Sequence, residues 1–252
     1  MNDLLQALHL KYVEQGLPEL LEQARLHSLT YEAFLRRVLM LELEGRNRHV
    51  QQSRLSAAKL PTRKTLEEFD FAFQPGLSQR LVWELADLSF VQTHTNVVLV
   101  GPPGVGKTHL AIALAVKALE AGYSVLFTTL SQLAEELAAV PHPSLIPKRL
   151  RRYLQARLLI IDEVGYKKLT AEQATYFFEV VRDRYEQGST ILTSNTSFAE
   201  WGKLLHDEVL ATALLDRLLH HAEVISINGK SYRMKNRQPI GKPQAALSPA
   251  SS

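Results

Sequence analysis

Cysteine is absent from the chain of 252 residues, and its absence removes several chemistries from consideration. Without a thiol there can be no disulfide, no thiolate metal site and no cysteine nucleophile. A chain without cysteine also suits the reducing environment of the cytosol, where disulfides rarely persist. We therefore expect a cytoplasmic protein.

Long apolar runs are missing as well. No stretch is long and apolar enough to cross a bilayer, and the first residues lack the basic segment and apolar core of a signal peptide. We expect no membrane contact. Hydrophobic residues make up 46% of the chain and charged residues 22%, which is ordinary for a globular protein. The length fits one large domain, or a main domain with a smaller one.

Acidic residues are missing from three stretches, which lie between Glu44 and Glu67, between Glu136 and Asp162, and after Glu223. The net charge is only +3, so the distribution of charge is more informative than its sum. The first stretch is rich in arginine between residues 46 and 59. It is either a solvated helix end or linker, or an arm that contacts DNA or a protein partner.

The second and third of these stretches mix cations with tyrosine, as nucleic-acid grooves do. Neither resembles a base-reading module, so we expect contacts to phosphates with little sequence preference. The predicted DNA-contacting residues are Lys148, Arg149, Arg151, Arg152, Lys230 and Arg233.

One motif stands out in the middle of the chain. Residues 101–108 fit the phosphate-binding pattern G-x-x-x-x-G-K-[ST] without deviation. An apolar run before them predicts a buried strand, and an Ala- and Leu-rich run after them predicts a helix. Glycines let successive backbone N–H groups face an anion at the start of such a helix. The motif predicts a nucleotide site formed by Gly101, Pro102, Pro103, Gly104, Val105, Gly106, Lys107, Thr108 and His109.

Two residues of this loop have defined chemical roles in such sites, and two acids later in the chain complete the predicted site. Lys107 should reach the β- and γ-phosphates, and the Thr108 hydroxyl should bind Mg²⁺. Residues 158–163 predict an apolar strand that ends in Asp162 and Glu163 at the same edge of the sheet. Asp162 would hold Mg²⁺, directly or through water, and Glu163 would polarise the attacking water as the base of hydrolysis.

Two further candidates rest on weaker patterns. Asn195 follows the next predicted strand, where its amide could bind the nucleophilic water or the γ-phosphate, although Asn commonly ends a strand at a turn. Arg217 stands among leucines in a predicted helix. It could bind phosphate oxygens, even those of a neighbouring subunit, or pair with Asp216 on a solvated face. Spacing alone does not decide between these roles.

Strand and helix signals alternate between residues 96 and 227, which predicts a parallel sheet covered by helices on both faces. Residues 1–60 have helical periodicity only, with Pro18 expected in the first turn of a second helix and Thr30 as the N-cap of a third. The phenylalanines at positions 69, 71 and 73 could wall an adenine pocket, but packing against the sheet is favoured. We divide the chain into a helical domain at 1–60, an α/β domain at 61–238 and a Pro-, Ala- and Ser-rich disordered tail at 239–252.

Together these motifs resemble those of the AAA+ ATPases, and within that class the IstB-like transposition helpers of insertion sequences, which are relatives of the helicase loader DnaC and the initiator DnaA. The resemblance is carried by residues 65–71, 101–114, 191–202, 214–221 and 231–233. It covers residues 60–235 strongly and the N-terminal helices more weakly.

For the site, the resemblance implies an AAA+ P-loop fold in which residues 101–108 are the Walker A motif and Asp162 with Glu163 is Walker B. It implies that Asn195 is sensor 1 and that Arg217 is an arginine finger acting on a neighbour's nucleotide. The basic helix around Arg149 corresponds to the helix that the DnaA/DnaC branch inserts beside a channel for DNA. Too few residues follow the last strand for a helical lid, so a lid-borne sensor 2 arginine is expected to be missing.

For the function, the resemblance implies a slow or partner-stimulated ATPase that needs ATP and Mg²⁺. It would form a homo-oligomer with nucleotide between subunits, bind double-stranded DNA, help to select or remodel the target, and engage a partner transposase. Two alternatives stay open. One is a DnaC-like loader, whose N-terminal helices would bind a replicative helicase, and the other is a monomeric P-loop kinase for a small metabolite.

Overall fold

The computed structural model describes residues 1–235, so the predicted tail at 239–252 lies outside the described residues. Five parallel strands form one sheet in the order β2-β3-β4-β1-β5. The strands are β1 (Asn96–Val100), β2 (Val125–Thr129), β3 (Leu158–Val164), β4 (Ser189–Ser194) and β5 (Ala222–Ser226).

Eleven α-helices accompany the sheet within residues 1–235. They are α1 (Asn2–Ala7), α2 (Lys11–Leu26), α3 (Tyr31–Ala57), α4 (Gln79–Ala86), α5 (Ser89–Gln92), α6 (Lys107–Glu120), α7 (Leu130–Ala138), α8 (Ile146–Gln155), α9 (Ala171–Arg184), α10 (Trp201–Leu205) and α11 (Glu208–His220). Short 3-10 turns lie at Phe71–Phe73, Pro143–Leu145, Phe198–Glu200 and Tyr232–Met234.

The central strands are apolar because they are covered on both faces. Strand β4 is buried along its whole length, and β3 has a single exposed residue, Glu163. On one face the sheet packs against α4, α5 and α6, and on the other against α7, α8, α9, α10 and α11. The predicted parallel sheet with helices on both faces is therefore confirmed.

The N-terminal region is helical as expected, but its helices begin and end at other residues. The prediction that Pro18 opens a second helix is wrong, because α2 runs through Pro18 from Lys11 to Leu26. The chain turns earlier, at His9, whose φ of 54° ends the first helical segment. The third helix does begin at Thr30, whose side chain accepts a hydrogen bond from the Ala33 amide at 3.3 Å.

Most of the arginine-rich stretch at 46–59 is the largely exposed second half of α3, so it is a solvated helix end rather than a linker. Its alternative role as an arm that contacts DNA or a partner stays a prediction. Gly45, where the composition changes, is an interior residue of that helix, and a side chain there would collide with the Tyr12 ring of α2. Ala58, just beyond the helix, is fully buried, and its carbonyl accepts a hydrogen bond from the Phe127 amide of the edge strand β2 at 2.8 Å. The helix therefore reaches the sheet, while the domain boundary near residue 62 stays a prediction.

Other boundaries differ by a few residues. The helix expected over 81–90 is divided into α4 and α5 by Leu88, which has a left-handed φ of 61°. From β5 to Lys235, where the description of the chain stops, the only regular element is the turn Tyr232–Met234, so no helical lid follows the sheet there. Among residues 1–235, no helix combines the length and the apolarity that crossing a membrane requires.

Candidate active site

The phosphate-binding motif forms the loop between β1 and α6, as predicted. Gly106 precedes α6 with a φ of 104°, and a Cβ atom built on it would come within 2.5 Å of the Phe69 ring. Gly104 has a φ of 82° and lies against Ser231, which leaves no room for a side chain. Since the 14-residue helix α6 starts at Lys107, its free N–H groups and positive dipole end face the loop. This geometry suits an anion.

Lys107 is turned onto its own loop. Its Nζ atom donates to the carbonyls of Gly101 at 2.6 Å and Pro102 at 2.8 Å, and the residue is only 8% exposed. Burial lowers the pKa of Lys107, and the charge of Arg233 lowers it further, while Asp162 acts in the opposite direction. A bound polyanion would favour the charged ammonium group, so the position fits the predicted role of Lys107.

Thr108 and Asp162, the two predicted Mg²⁺ ligands, meet directly. The Thr108 hydroxyl donates to the two carboxylate oxygens of Asp162 at 3.0 and 3.1 Å, although the residues are 54 positions apart. A hydroxyl beside a carboxylate is the kind of oxygen pair that Mg²⁺ prefers. The donor set at the end of β3 and the start of α6 therefore fits this ion.

A second hydroxyl, from Thr193 in β4, connects the two acids of β3. Thr193 is 1% exposed, and its Oγ1 atom donates a short hydrogen bond to Asp162 and accepts one from the Glu163 amide at 3.1 Å. No motif in the sequence assigned a role to Thr193. Its contacts depend on the register between β3 and β4, which the residue pattern does not contain.

Glu163 lies at an irregularity in the sheet. The pairing of β3 with β4 shifts between Ile161 and Val164, and Glu163 has a φ of 61°, which is uncommon for a residue with a long side chain. As a result Asp162 is buried at the Thr108 hydroxyl, while Glu163 is the exposed residue of the strand. The two adjacent carboxylates thus have different environments, as their two predicted roles require.

Asn195 reaches the same edge of the sheet. Its backbone amide donates to the Val164 carbonyl at 3.4 Å, and its side-chain oxygen lies beside Gly165, two residues after Glu163. A Cβ atom on Gly165 would stand 2.9 Å from that oxygen. The structure therefore brings Asn195 next to the turn that follows the two acids.

A cavity of about 410 Å³ opens beside the loop. Its walls include loop residues together with Phe69, Gln74, His109 and Arg233. Of the three phenylalanines, Phe69 therefore both packs in the core and lines the cavity, whereas Phe71 packs against the core alone. Gln74 is a buried wall residue without any role in the sequence analysis, and neither spacing nor composition indicated it.

Arg217 lies apart from this cavity in the same chain. It stands near the end of α11, where its Nη1 atom donates to the Ala213 carbonyl at 2.8 Å and its guanidinium lies 5.3 Å from the Phe178 ring centre. The start of β5 follows a few residues later, at the edge of the sheet opposite to the loop. Lys107, Thr108, Asp162, Glu163 and Asn195 are thus brought together, and Arg217 is not.

The predicted DNA contacts divide into three groups. Lys148, Arg149 and Arg151 are exposed on α8, and their contact with DNA stays a prediction. Arg152 on the same helix is ion-paired with Glu136 of α7 at 2.8 Å, so its charge is already compensated.

The remaining two cations follow β5. Both are exposed, and Arg233 also lines the cavity at the phosphate loop. Residue type did not reveal that the chain turns back over the loop, and the DNA contacts of these two residues stay a prediction.

Comparisons with known proteins agree on one family. A family model described as IstB-like ATP binding protein matches residues 3–239. The chain is 48% identical over 238 residues to the protein named for ATP binding in insertion sequence IS21 of Pseudomonas aeruginosa, covering 94% of this chain and 90% of that one. It is 41% identical over 231 residues to the corresponding IS5376 protein of Geobacillus stearothermophilus, covering 92% of each.

Solved structures resemble about two thirds of the chain. DnaI has a TM-score of 0.56 at 22% identity, covering 66% of this chain and 91% of that one. A replication initiator DnaA bound to AMPPCP and single-stranded DNA has a TM-score of 0.55 at 21% identity, covering 70% and 54%. The DnaC helicase loader has a TM-score of 0.51 at 21% identity, covering 69% and 98%. At these identities the likeness concerns the fold.

Proposed function

Because this chain belongs to the family of IstB-like ATP-binding proteins, we propose that it hydrolyses ATP, assembles on double-stranded DNA and assists the transposition of an insertion sequence. Its parallel sheet and its likeness to DnaA, DnaC and DnaI give it the AAA+ P-loop fold. The observation that carries the proposed hydrolysis is the contact of Thr108 with Asp162, with Glu163 next in the chain.

In the proposed reaction each residue has one task. The loop N–H groups and Lys107 bind the phosphates, and Thr108 with Asp162 holds Mg²⁺, which would neutralise negative charge that develops on the transferred phosphoryl group. Glu163 orients the attacking water and accepts its proton. Asn195 donates its amide to the same water or to the γ-phosphate.

Hydrolysis is tested with the full chain by phosphate release from Mg²⁺·ATP, with and without double-stranded DNA. Glu163→Gln should bind ATP within a few-fold of the wild-type affinity but lose about 100-fold or more of the rate, because the base is gone. Lys107→Ala should lose ATP binding. Glu172→Gln, which changes an exposed acid at the start of α9, is the matched control and should keep the wild-type rate. An undiminished rate in Glu163→Gln would remove the proposed base.

DNA binding is proposed for the exposed face of α8. Three cations lie there, and α8 itself contains no acid. The end of the helix is anchored by Arg184, which donates hydrogen bonds to the Tyr153 and Ala156 carbonyls at 2.7 Å each. A rigid row of cations suits a phosphate backbone. The likeness to a DnaA that holds single-stranded DNA supports the fold's capacity for such contacts.

The α8 surface is tested by reversing its charges in Lys148→Glu, Arg149→Glu and Arg151→Glu together. Affinity for double-stranded DNA should fall at least tenfold, and the slope of log affinity against log salt should decrease by about two to three, since each phosphate contact contributes about 0.9. Arg152→Gln removes a charge that Glu136 already pairs and should change the slope least. Equal effects of both changes would contradict the proposed surface.

The biological setting is proposed from the sequence relatives. Those with 30% identity or more carry insertion-sequence names, which supports work beside a transposase in the bacterial cytosol. The proposed homo-oligomer with nucleotide at its subunit interfaces is supported by Arg217, which lies apart from the cavity of its own chain. The alternative of a replicative helicase loader rests on the fold likeness to DnaC alone. Transposition is therefore the better supported function.

A further inference from the structure

Residues 227–235, which follow β5, cross the mouth of the nucleotide cavity, and we call them the strap. The strap is bonded to the phosphate loop through its backbone. The Ile227 amide donates to the Val100 carbonyl at 2.8 Å, and the Tyr232 amide donates to the Gly104 carbonyl at 2.8 Å. Gly104 is also packed against Ser231, so strap and loop are in contact along several residues.

The strap is held from the other side by residues that precede α4. The Gln74 side chain, 2% exposed, donates to the Lys230 carbonyl at 3.0 Å. The Lys235 ammonium donates to the Asp70 carboxylate at 2.6 Å and lies 5.2 Å from the Phe73 ring centre. Contacts on both sides fix the path of the strap over the loop.

This path brings Arg233 to the cavity that Lys107 also lines. Asp70 forms its ion pair with Lys235 of the strap and not with the Arg233 guanidinium. Lys107 and Arg233 thus line the same cavity beside the phosphate loop. Two cations that line one cavity repel each other, whereas a polyanion bound between them would attract both.

We propose that Arg233 binds the phosphates of ATP in the chain's own site, from the strap. Resting on the proposed ATP binding at residues 101–108, this inference replaces the predicted DNA contact of Arg233. A guanidinium suits this task because its planar fork binds two phosphate oxygens at once. The chain thus supplies a second phosphate-binding cation although no helical lid follows the sheet within the described residues.

The test measures ATP affinity of the full chain by calorimetry with Mg²⁺·ATP in the absence of DNA. Arg233→Ala should weaken ATP binding about tenfold to a hundredfold, because a charge-assisted hydrogen bond is lost. Arg233→Lys should recover part of the affinity. Lys230→Ala, which removes an exposed cation three residues earlier on the same strap, should bind ATP like the wild type. Thermal unfolding without nucleotide shows whether each variant folds.

A second measurement separates the two possible roles of Arg233. Affinity for double-stranded DNA is determined at saturating ATP over a range of salt concentrations. The proposal expects an unchanged salt slope for Arg233→Ala. It is overturned if this variant binds ATP like the wild type, whether or not its salt slope falls. The ATP-binding site itself fails only if the wild type does not bind ATP or Lys107→Ala binds it unchanged, so the two failures are distinguishable.

Discussion

At the scale of single residues, the Thr193 hydroxyl is the least expected part of the site. Within residues 1–235 it is the one buried hydroxyl with hydrogen bonds to both acids of β3, as a donor to Asp162 and as the acceptor of the Glu163 amide. Groups of this kind orient the residues that bind a metal or substrate, and their loss typically costs about 10- to 100-fold in activity or metal affinity. Thr193 is therefore a positioning residue for the proposed hydrolysis.

Thr193→Val keeps the volume of the side chain and removes the hydroxyl. We expect kcat for ATP hydrolysis to fall about 10- to 100-fold and the Mg²⁺ concentration for half-maximal rate to rise, with ATP affinity within a few-fold of wild type. Thr193→Ser restores the hydroxyl and should recover most of the rate. A purely structural role would instead lower the unfolding temperature of both variants without moving the Mg²⁺ dependence, and that result would count against positioning.

The residues of the site also show what a sequence pattern can and cannot predict. The phosphate loop and the Asp162-Glu163 pair were predictable because local spacing defines them, and the contact of Thr108 with Asp162 followed from the ends of two parallel strands. Thr193 was not, since its role needs the shifted register at Glu163. The position of Arg233 at the cavity was not predictable either, because a run of cations does not encode the fold-back of the strap.

At the scale of elements, a buried acid joins helices α2 and α3. Glu42 of α3 accepts hydrogen bonds from the Tyr12 and Val13 amides at 2.9 and 3.1 Å, in the first turn of α2, whose N-cap residue offers no side-chain cap. Arg46 completes the group with an ion pair to Glu42 at 2.8 Å. The sequence pattern predicted the helices, but a cap that comes from another helix has no local signature.

The stability of this helix pair should depend on the charge of Glu42. Burial by itself would raise the pKa of Glu42, but hydrogen bonds from Arg46, Val13 and Tyr12 outweigh it and hold the pKa below its ordinary value. A carboxylate with a lowered pKa stabilises the fold above the ordinary carboxyl pKa, and this contribution is lost as the pH falls through the lowered value. Acid should therefore weaken the α2–α3 pair.

The measurement is thermal unfolding followed by circular dichroism between pH 7 and pH 3, for the wild type and Glu42→Gln. At pH 7 the variant should unfold at a lower temperature, by an amount equivalent to about 1–3 kcal/mol, because a charge-assisted bond and cap are weakened. The difference should shrink as the pH falls and Glu42 itself becomes neutral. Glu44→Gln, at an exposed position of α3, serves as the control. A difference that stays constant with pH would contradict the assignment.

At the scale of the whole molecule, the positions of Arg217 and the phosphate loop raise the question of assembly. The alternation of strands and helices predicted the sheet and its covering layers, but the strand order β2-β3-β4-β1-β5 could not be read from it, since parallel strands may be placed in several orders. Because β1 and β5 are parallel, the loop after β1 lies at the carboxyl ends of the strands. Arg217 precedes β5, whose five residues span about 16 Å, and so lies near the amino ends.

Because Arg217 is distant from its own loop, its proposed role as an arginine finger requires a second chain, and mixing two inactive variants tests this. Lys107→Ala keeps Arg217 but cannot bind ATP, whereas Arg217→Ala binds ATP but lacks the finger. In an equal mixture, random assembly should form about a quarter of the sites from the intact Lys107 of one chain and the intact Arg217 of its neighbour, and that share of the rate should return. Light scattering checks that mixed oligomers form. If they form without any recovery, or if Arg217→Ala alone is fully active, the site is not shared through Arg217.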